Sequence, residues 1–109
     1  MPRVLFVCAQ NRLRSPTAEK VFGNRPDFEV ASAGVALGAE VPVSAELLEW
    51  ADMIFVMEPA HRKALLRRFR PHLKGKRVIC LNIPDEFQYM DPALIQLLEV
   101  RVDPFFRAE

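Results

Sequence analysis

Four short apolar runs recur along the chain and cover residues 3–8, 28–32, 53–57 and 77–81. They are rich in Val, Ile and Phe, and two of them are almost purely apolar, which is typical of strands covered on both faces of a sheet. The segments between the runs have apolar residues at helical spacing. This alternation predicts an α/β fold with parallel strands joined by right-handed crossovers.

Local residue types predict where the helices begin and end. Starts are expected at Ser15-Pro16, Ser44, Glu58-Pro59 and Asp91-Pro92. Three of these place Pro at the first helical position, where a missing N–H leaves no hydrogen bond unmade. The first helix is expected to end at Gly23-Asn24, and the third at Pro71 and Gly75.

Composition and charge narrow the class of protein. With 109 residues, half of them hydrophobic, the chain is predicted to form one domain over residues 1–109. Its formal net charge of +1 gives no bulk attraction to nucleic acid or to an anionic membrane. The first apolar run is too short for a signal peptide or a membrane span, so we expect a cytoplasmic protein with reduced cysteines.

The first loop has the features of an anion site. Cys8 ends the first apolar run, Arg14 follows six residues later, and Ser15-Pro16 opens a helix. Such a loop aims backbone N–H groups and a helix N-terminus at one point, and Asn11 tolerates the left-handed backbone of a tight turn. Arg14 and the Ser15 hydroxyl would favour a Cys8 thiolate, and Arg14 would clamp a bound phosphate. The sequence therefore predicts phosphoryl transfer to sulfur.

A general acid is expected from another strand-end loop, because the carboxyl ends of parallel strands meet at one edge of the sheet. Asp85 follows the fourth run and is our candidate for protonating the leaving group and then activating water. Phe87 would form an apolar wall against a substrate ring, with Tyr89 a weaker candidate. The alternative for Asp85 is a simple turn residue after Pro84.

Other polar residues have simpler explanations. Asp91 is interpreted as the cap of the last helix rather than a second acid, and Cys80 as a buried core thiol. The cations of residues 62–77 alternate with apolar positions, which favours an amphipathic helix over a docking patch for acidic partners or RNA. His61 and His72 have no Cys or acid at ligand spacing, so no metal site is predicted.

Several motifs resemble the low-molecular-weight protein tyrosine phosphatases. Cys8, Asn11, Arg14 and Ser15 match the phosphate loop of that family. The similarity extends to Ser32-Ala33-Gly34, to Ala51-Asp52 with residues 54–58, and to Ile83-Pro84-Asp85, and so covers most of the chain. Leu13 stands where many members carry a second Cys that protects the first by forming a disulfide. The stretch 34–50 is shorter than usual, as in a trimmed relative.

The resemblance implies a flavodoxin-like fold, a four-stranded parallel sheet in the order 2-1-3-4 with helices on both faces. It implies no cofactor and a catalytic set of Cys8, Arg14 and Asp85. Asn11, Ser15 and Ser32 would brace the loop. The substrate would be bound by Phe87 and by the loop residues Ala9, Gln10, Asn11, Arg12, Leu13, Arg14 and Ser15.

Three functions are compatible with these residues. The first is a cysteine-dependent phosphatase acting on a small aryl phosphate or a phosphotyrosine protein through a cysteinyl-phosphate, with phosphate or a similar oxyanion held in the loop. The second is arsenate reduction, which usually needs a resolving cysteine pair that Cys80 alone replaces poorly. The third is a non-catalytic module that binds phosphate or phosphopeptides.

Overall fold

Four parallel strands form the centre of the molecule, which the computed structural model describes for residues 2–107. The strands are β1 (Arg3–Cys8), β2 (Glu29–Gly34), β3 (Met53–Val56) and β4 (Arg77–Cys80). The helices are α1 (Arg14–Phe22), α2 (Ala45–Trp50), α3 (Pro59–Phe69), a short 3₁₀ turn (Arg70–Leu73) and α4 (Pro92–Arg107).

The strand order is β2-β1-β3-β4, so the predicted flavodoxin-like arrangement is confirmed. β1 is an inner strand, in register with β2 through Cys8 and Gly34 and with β3 through Val7 and Val56. Cys8 therefore ends a strand that has neighbours on both sides. This places it at the middle of the carboxyl edge, where ligands of such sheets bind.

Successive residues of β1 face opposite sides of the sheet, and each side has its own core. On one side, Phe6 stacks between Phe22 and Phe55, with ring centroids 5.5 and 5.3 Å away. The C-terminal helix α4 covers this side with Leu94, Leu98 and Val102, all fully buried. The other side packs Leu5 and Val7 against α2 and α3. Helices thus cover both faces, as predicted.

Several predicted element boundaries differ from the structure. The third and fourth strands, predicted over 53–57 and 77–81, each end one residue earlier, at Val56 and Cys80. The first helix begins at Arg14 rather than at Ser15-Pro16, because the Thr17 N–H already donates to the Leu13 carbonyl at 3.1 Å. β2 spans Glu29–Gly34 rather than 28–32, since its last residues stay paired with β1 up to Cys8.

The other helix starts agree with the sequence. Ser44 accepts a hydrogen bond from the Leu47 N–H at 3.2 Å, and Asp91 accepts one from the Ala93 N–H at 2.9 Å. Asp91 is therefore a cap, as interpreted. Pro59 and Pro92 stand at first helical positions.

The cationic segment forms the predicted amphipathic helix. Leu65 of α3 is buried, whereas the cations along the helix are exposed, namely Arg62, Lys63, Arg67 and Arg68. None of the described helices is both long and apolar enough to span a membrane.

Candidate active site

Residues 9–13 form a loop between β1 and α1 that wraps around the Cys8 side chain. Asn11 has a φ of 56°, the left-handed backbone for which the sequence singled it out, and its N–H donates to the Cys8 sulfur at 3.3 Å. Within residues 2–107, four backbone N–H groups of the loop donate to no protein acceptor, those of Ala9, Gln10, Arg12 and Leu13. Free N–H groups gathered beside a helix N-terminus make a cradle for an oxyanion.

The segment after β2 holds this loop from one side. The N–H groups of Val35 and Ala36 donate to the carbonyls of Cys8 and Ala9, at 3.0 and 2.9 Å. Gly34 lies at the closest approach, where an added Cβ would be 2.5 Å from the Ala9 oxygen and 2.9 Å from the Asn11 nitrogen. The height of the loop above the sheet therefore depends on the missing side chain of Gly34.

A buried set of side chains links the loop to Cys8. The Asn11 Nδ2 donates to the hydroxyls of Ser15 and Ser32, both at 2.9 Å, and the Ser15 Oγ lies 2.9 Å from the Cys8 sulfur. The structure thus brings together the three residues predicted to brace the loop. Ser32 in turn donates to the Glu19 carboxylate, a contact that sequence reasoning missed. Glu19 lies one helical turn after Ser15, a spacing that could have indicated it.

Arg14 is buried under the cleft, with only 3% of its surface exposed. Its Nη1 donates to the Glu58 carboxylate and, at 2.8 Å, to the Ile83 carbonyl. Both hydrogens of Nη1 are then engaged, which leaves Nε and Nη2 for a bound anion. Two donors on one planar group are the geometry of a bidentate clamp on phosphate oxygens.

Glu58 and His61 form a reciprocal cap at the start of α3, and sequence reasoning missed both as site residues. The Glu58 N–H donates to the His61 Nδ1 at 3.1 Å, while the Glu58 side chain accepts from the His61 N–H. Burial lowers the pKa of His61, and the nearby Arg14 lowers it further, against the smaller opposing effects of Glu58 and Asp85. The neutral imidazole keeps Nδ1 as an acceptor, so Glu58 stays oriented toward Arg14.

The cleft above the loop has a volume of about 250 Å³ and is lined by Cys8, Ala9, Gln10, Arg12, Leu13, Arg14 and Asp85. Asp85 is two-thirds exposed, and its Oδ1 lies 3.8 Å from the Arg14 Nε. The structure thus brings together Cys8, Arg14 and Asp85, which the sequence placed on two separate strand-end loops.

The loop that carries Asp85 is fastened at both ends. The Ile83 N–H donates to the Met57 carbonyl at 2.8 Å, and Arg101 of α4 donates to the carbonyls of Leu81 and Asn82, both at 2.6 Å. At the far end, the Met90 N–H donates to the Thr17 hydroxyl at 2.9 Å.

The structure does not bring the predicted aromatic wall to the cleft. Phe87 is half-buried and packs against the core under α4, where burial of a large ring is favourable. Tyr89 is half-exposed and borders a separate hollow beside Glu19 and Lys20. The side chains of Arg12 and Leu13 stand at the cleft instead.

Cys80 is half-buried rather than fully buried, and its S–H donates to the Asn82 side chain at 3.4 Å. It pairs with Val56 of β3, so one strand separates it from β1. At strand spacing the Cα atoms of Cys8 and Cys80 are then about 10 Å apart, too far for a disulfide. No group of three or more His, Cys, Asp or Glu side chains within the described residues is arranged to hold a metal ion.

Comparison with known proteins gives related phosphatases, although no family model matches the chain. The chain is 33% identical over 98 residues to a protein-arginine-phosphatase of Geobacillus stearothermophilus, covering 68% of this chain and 66% of that protein. It is 31% identical over 114 residues to the low molecular weight protein-tyrosine-phosphatase Wzb of Salmonella typhimurium, covering 83% and 76%.

A solved structure has the same fold. Wzb of Escherichia coli K30, determined in complex with phosphate, superimposes with a TM-score of 0.77 at 24% identity, covering 97% of this chain and 96% of that one.

Replacing Gly34 by Ala is expected to weaken oxyanion binding, because the new Cβ would displace the loop backbone at Ala9 and Asn11. We expect the dissociation constant for inorganic phosphate, measured by NMR titration, to rise at least about tenfold. Gly38→Ala is the matched control, since a Cβ there meets nothing within 4 Å. Equal phosphate affinity of the two variants would show that Gly34 does not set the height of the loop.

His61 is expected to make the protein less stable in acid. Because folding lowers its pKa, the unfolded chain binds more protons once the pH falls below about 6.5, and the free energy of unfolding declines from there toward the folded-state pKa. His61→Asn keeps an acceptor for the Glu58 N–H but does not titrate. Urea unfolding at about pH 7.5 and about pH 5 should show a larger loss for the wild type. Parallel losses would contradict the assignment.

Proposed function

The chain belongs to the low-molecular-weight protein-tyrosine-phosphatase family, and from that premise we propose that it hydrolyses phosphate monoesters with Cys8 as the nucleophile. One observation carries the proposal. The Cys8 sulfur, which contacts the Asn11 N–H at 3.3 Å and the Ser15 hydroxyl at 2.9 Å, lines the same cleft as Arg14 and Asp85.

In the first step, the Cys8 thiolate attacks phosphorus in line with the leaving oxygen. The S–P bond forms, the bond from phosphorus to the leaving oxygen breaks, and Asp85 gives that oxygen its proton. The free N–H groups of Ala9, Gln10, Arg12 and Leu13, together with Arg14, hold the equatorial oxygens as charge redistributes.

In the second step, water attacks the cysteinyl-phosphate. The Asp85 carboxylate takes a proton from this water, an O–P bond forms, and the S–P bond breaks to return the thiolate and release phosphate. Because Asp85 is exposed at the cleft, its carboxyl group can exchange protons with solvent between the two steps.

We infer that phosphotyrosine is the substrate group. Arg12 stands at the cleft, 59% exposed, with its Nε 3.3 Å from the Glu40 carboxylate. The uncharged ring of a phosphotyrosine can lie on a guanidinium face. A phosphorylated arginine keeps a cationic guanidinium, which Arg12 repels. We therefore favour an aryl phosphate, in a protein or a small molecule, over phosphoarginine, although one relative is a protein-arginine-phosphatase.

The two other hypotheses receive less support. Both curated relatives are phosphatases, which argues against a module that only binds phosphate. Arsenate reduction lacks a resolving cysteine within reach, given the strand that separates Cys80 from β1. A mechanism that needs a reduced Cys8 suits the cytoplasm, which we propose as its location.

Cys8→Ser is expected to abolish hydrolysis of an aryl phosphate between about pH 5 and pH 8, because a serine hydroxyl is far less ionised than a thiol. Phosphate binding should persist in this variant, since the loop N–H groups and Arg14 remain. Cys80→Ser is the matched control and should retain wild-type turnover. Turnover by Cys8→Ser comparable to that of the wild type would rule out Cys8 as the nucleophile. A wild-type protein that binds phosphate but hydrolyses no aryl phosphate would favour the binding module.

Arg12→Ala is expected to relax the preference for aryl phosphate. We expect the ratio of kcat/KM for phosphoarginine peptide to that for phosphotyrosine peptide to rise about three- to tenfold, as one cation leaves the cleft. Lys63→Ala is the control, because it removes an exposed cation of α3 that does not line the cleft. An unchanged ratio in Arg12→Ala would remove Arg12 from the account of specificity.

A further inference from the structure

Glu19 lies outside the cleft on the exposed side of α1, yet its carboxylate is the last acceptor of a buried chain of hydrogen bonds that ends on Cys8. The Ser32 hydroxyl donates to the Glu19 Oε1, and the Asn11 Nδ2 lies 2.9 Å from the hydroxyls of both Ser32 and Ser15. The Ser15 Oγ lies 2.9 Å from the Cys8 sulfur. Asn11, Ser15, Ser32 and Cys8 are all buried.

The direction of every bond in this chain follows from the carboxylate. A carboxylate only accepts, and a serine hydroxyl has a single proton, so the Ser32 proton is committed to Glu19. Ser32 can then only accept from Asn11, which fixes the amide with its NH₂ group between the two serines. Ser15 accepts from the same NH₂ group, and its own proton is left for the Cys8 sulfur or for the more distant Ala33 carbonyl at 3.4 Å.

Without the carboxylate, the chain can reverse. The Ser32 proton would be free to turn toward Asn11, and a rotated amide would present its oxygen to both serines. Ser15 would then donate to the Asn11 Oδ1 instead of to sulfur. The Cys8 thiolate would lose one of its two nearby donors and keep only the Asn11 N–H.

We propose that Glu19 is a positioning residue that acts through Ser32, Asn11 and Ser15 to keep the Ser15 hydroxyl donating to the Cys8 sulfur. The inference deepens the proposed function, since it rests on Cys8 acting as a thiolate nucleophile. Ionisation of the sulfur can nevertheless be measured by alkylation, which requires no phosphatase activity.

A direct effect of charge has the opposite sign. The negative charge of Glu19 disfavours a nearby thiolate, so its removal alone would make Cys8 easier to ionise. Loss of the Ser15 donor makes Cys8 harder to ionise. The other charged groups around the cleft, Arg12, Arg14, Glu58 and Asp85, are the same in all the variants compared.

The test is the rate of Cys8 alkylation by iodoacetamide as a function of pH, in the 109-residue chain carrying Cys80→Ser so that one thiol reacts. Glu19→Ala should shift the profile to higher pH and slow alkylation near pH 6 by about three- to tenfold. Glu19→Gln can donate as well as accept, so it no longer commits the Ser32 proton and should also slow alkylation, although less than Glu19→Ala. Glu29→Ala, which removes the same charge from β2, is the control. Thermal unfolding verifies that each variant is folded.

A double variant tests whether the effect of Glu19 on Cys8 passes through Ser32. If the effect passes through Ser32, Glu19→Ala combined with Ser32→Ala should react like Ser32→Ala alone. Additive effects, or alkylation of Glu19→Ala or Glu19→Gln that is faster than in the wild type, would each overturn the inference. The expected alkylation pattern in a protein that hydrolyses no aryl phosphate would uphold the role of Glu19 and refute the proposed function instead.

Discussion

The structure depends on compensating one buried cation. Arg14 lies beneath the cleft with 3% of its surface exposed, and an unpaired guanidinium at such a place would cost several kcal/mol. Its partners come from the ends of two other strands, Glu58 after β3 and Ile83 after β4. The cation is compensated only when β1, β3 and β4 are adjacent and parallel. The strand order and the anion site therefore depend on the same contacts, because a different strand beside β1 would leave the buried Arg14 guanidinium without its acceptors.

Most of the fold could be predicted because local and long-range preferences agree. The apolar runs are strands with neighbours and covered faces, and Ser44, Pro59 and Pro92 begin helices with side chains that suit those positions. The start of α1 was mispredicted because serine is a residue type that favours the N-cap position of a helix. In the folded protein its hydroxyl faces Cys8 rather than the helix backbone. A contact outside the helix thus overrode a local preference.

The site was predictable where chemistry and sequence spacing coincide. Cys8 and Arg14 stand at the two ends of one loop, and Asp85 joins them because parallel strands end at a common edge. Glu58 acts through a contact with Arg14, 44 positions away, and no local pattern marks such a pair. Glu19 contacts Ser32, 13 positions away, and only its place one turn after Ser15 could have indicated it. Phe87 was misplaced for a related reason, since the apolar core and the cleft compete for the same ring, and a single sequence does not show which of them takes it.

The Arg101 side chain donates to the carbonyls of Leu81 and Asn82. The Asp85 loop can therefore be fastened only after α4 has been synthesised. The nucleophile emerges from the ribosome with the first strand, whereas the helix that fastens the Asp85 loop emerges some ninety residues later. β3 and Glu58 follow Cys8 by 45 and 50 residues and Ile83 follows it by 75, so the acceptors of Arg14 are made before α4. A nascent chain that holds Cys8 but not yet α4 therefore lacks the Arg101 contacts that fasten the Asp85 loop.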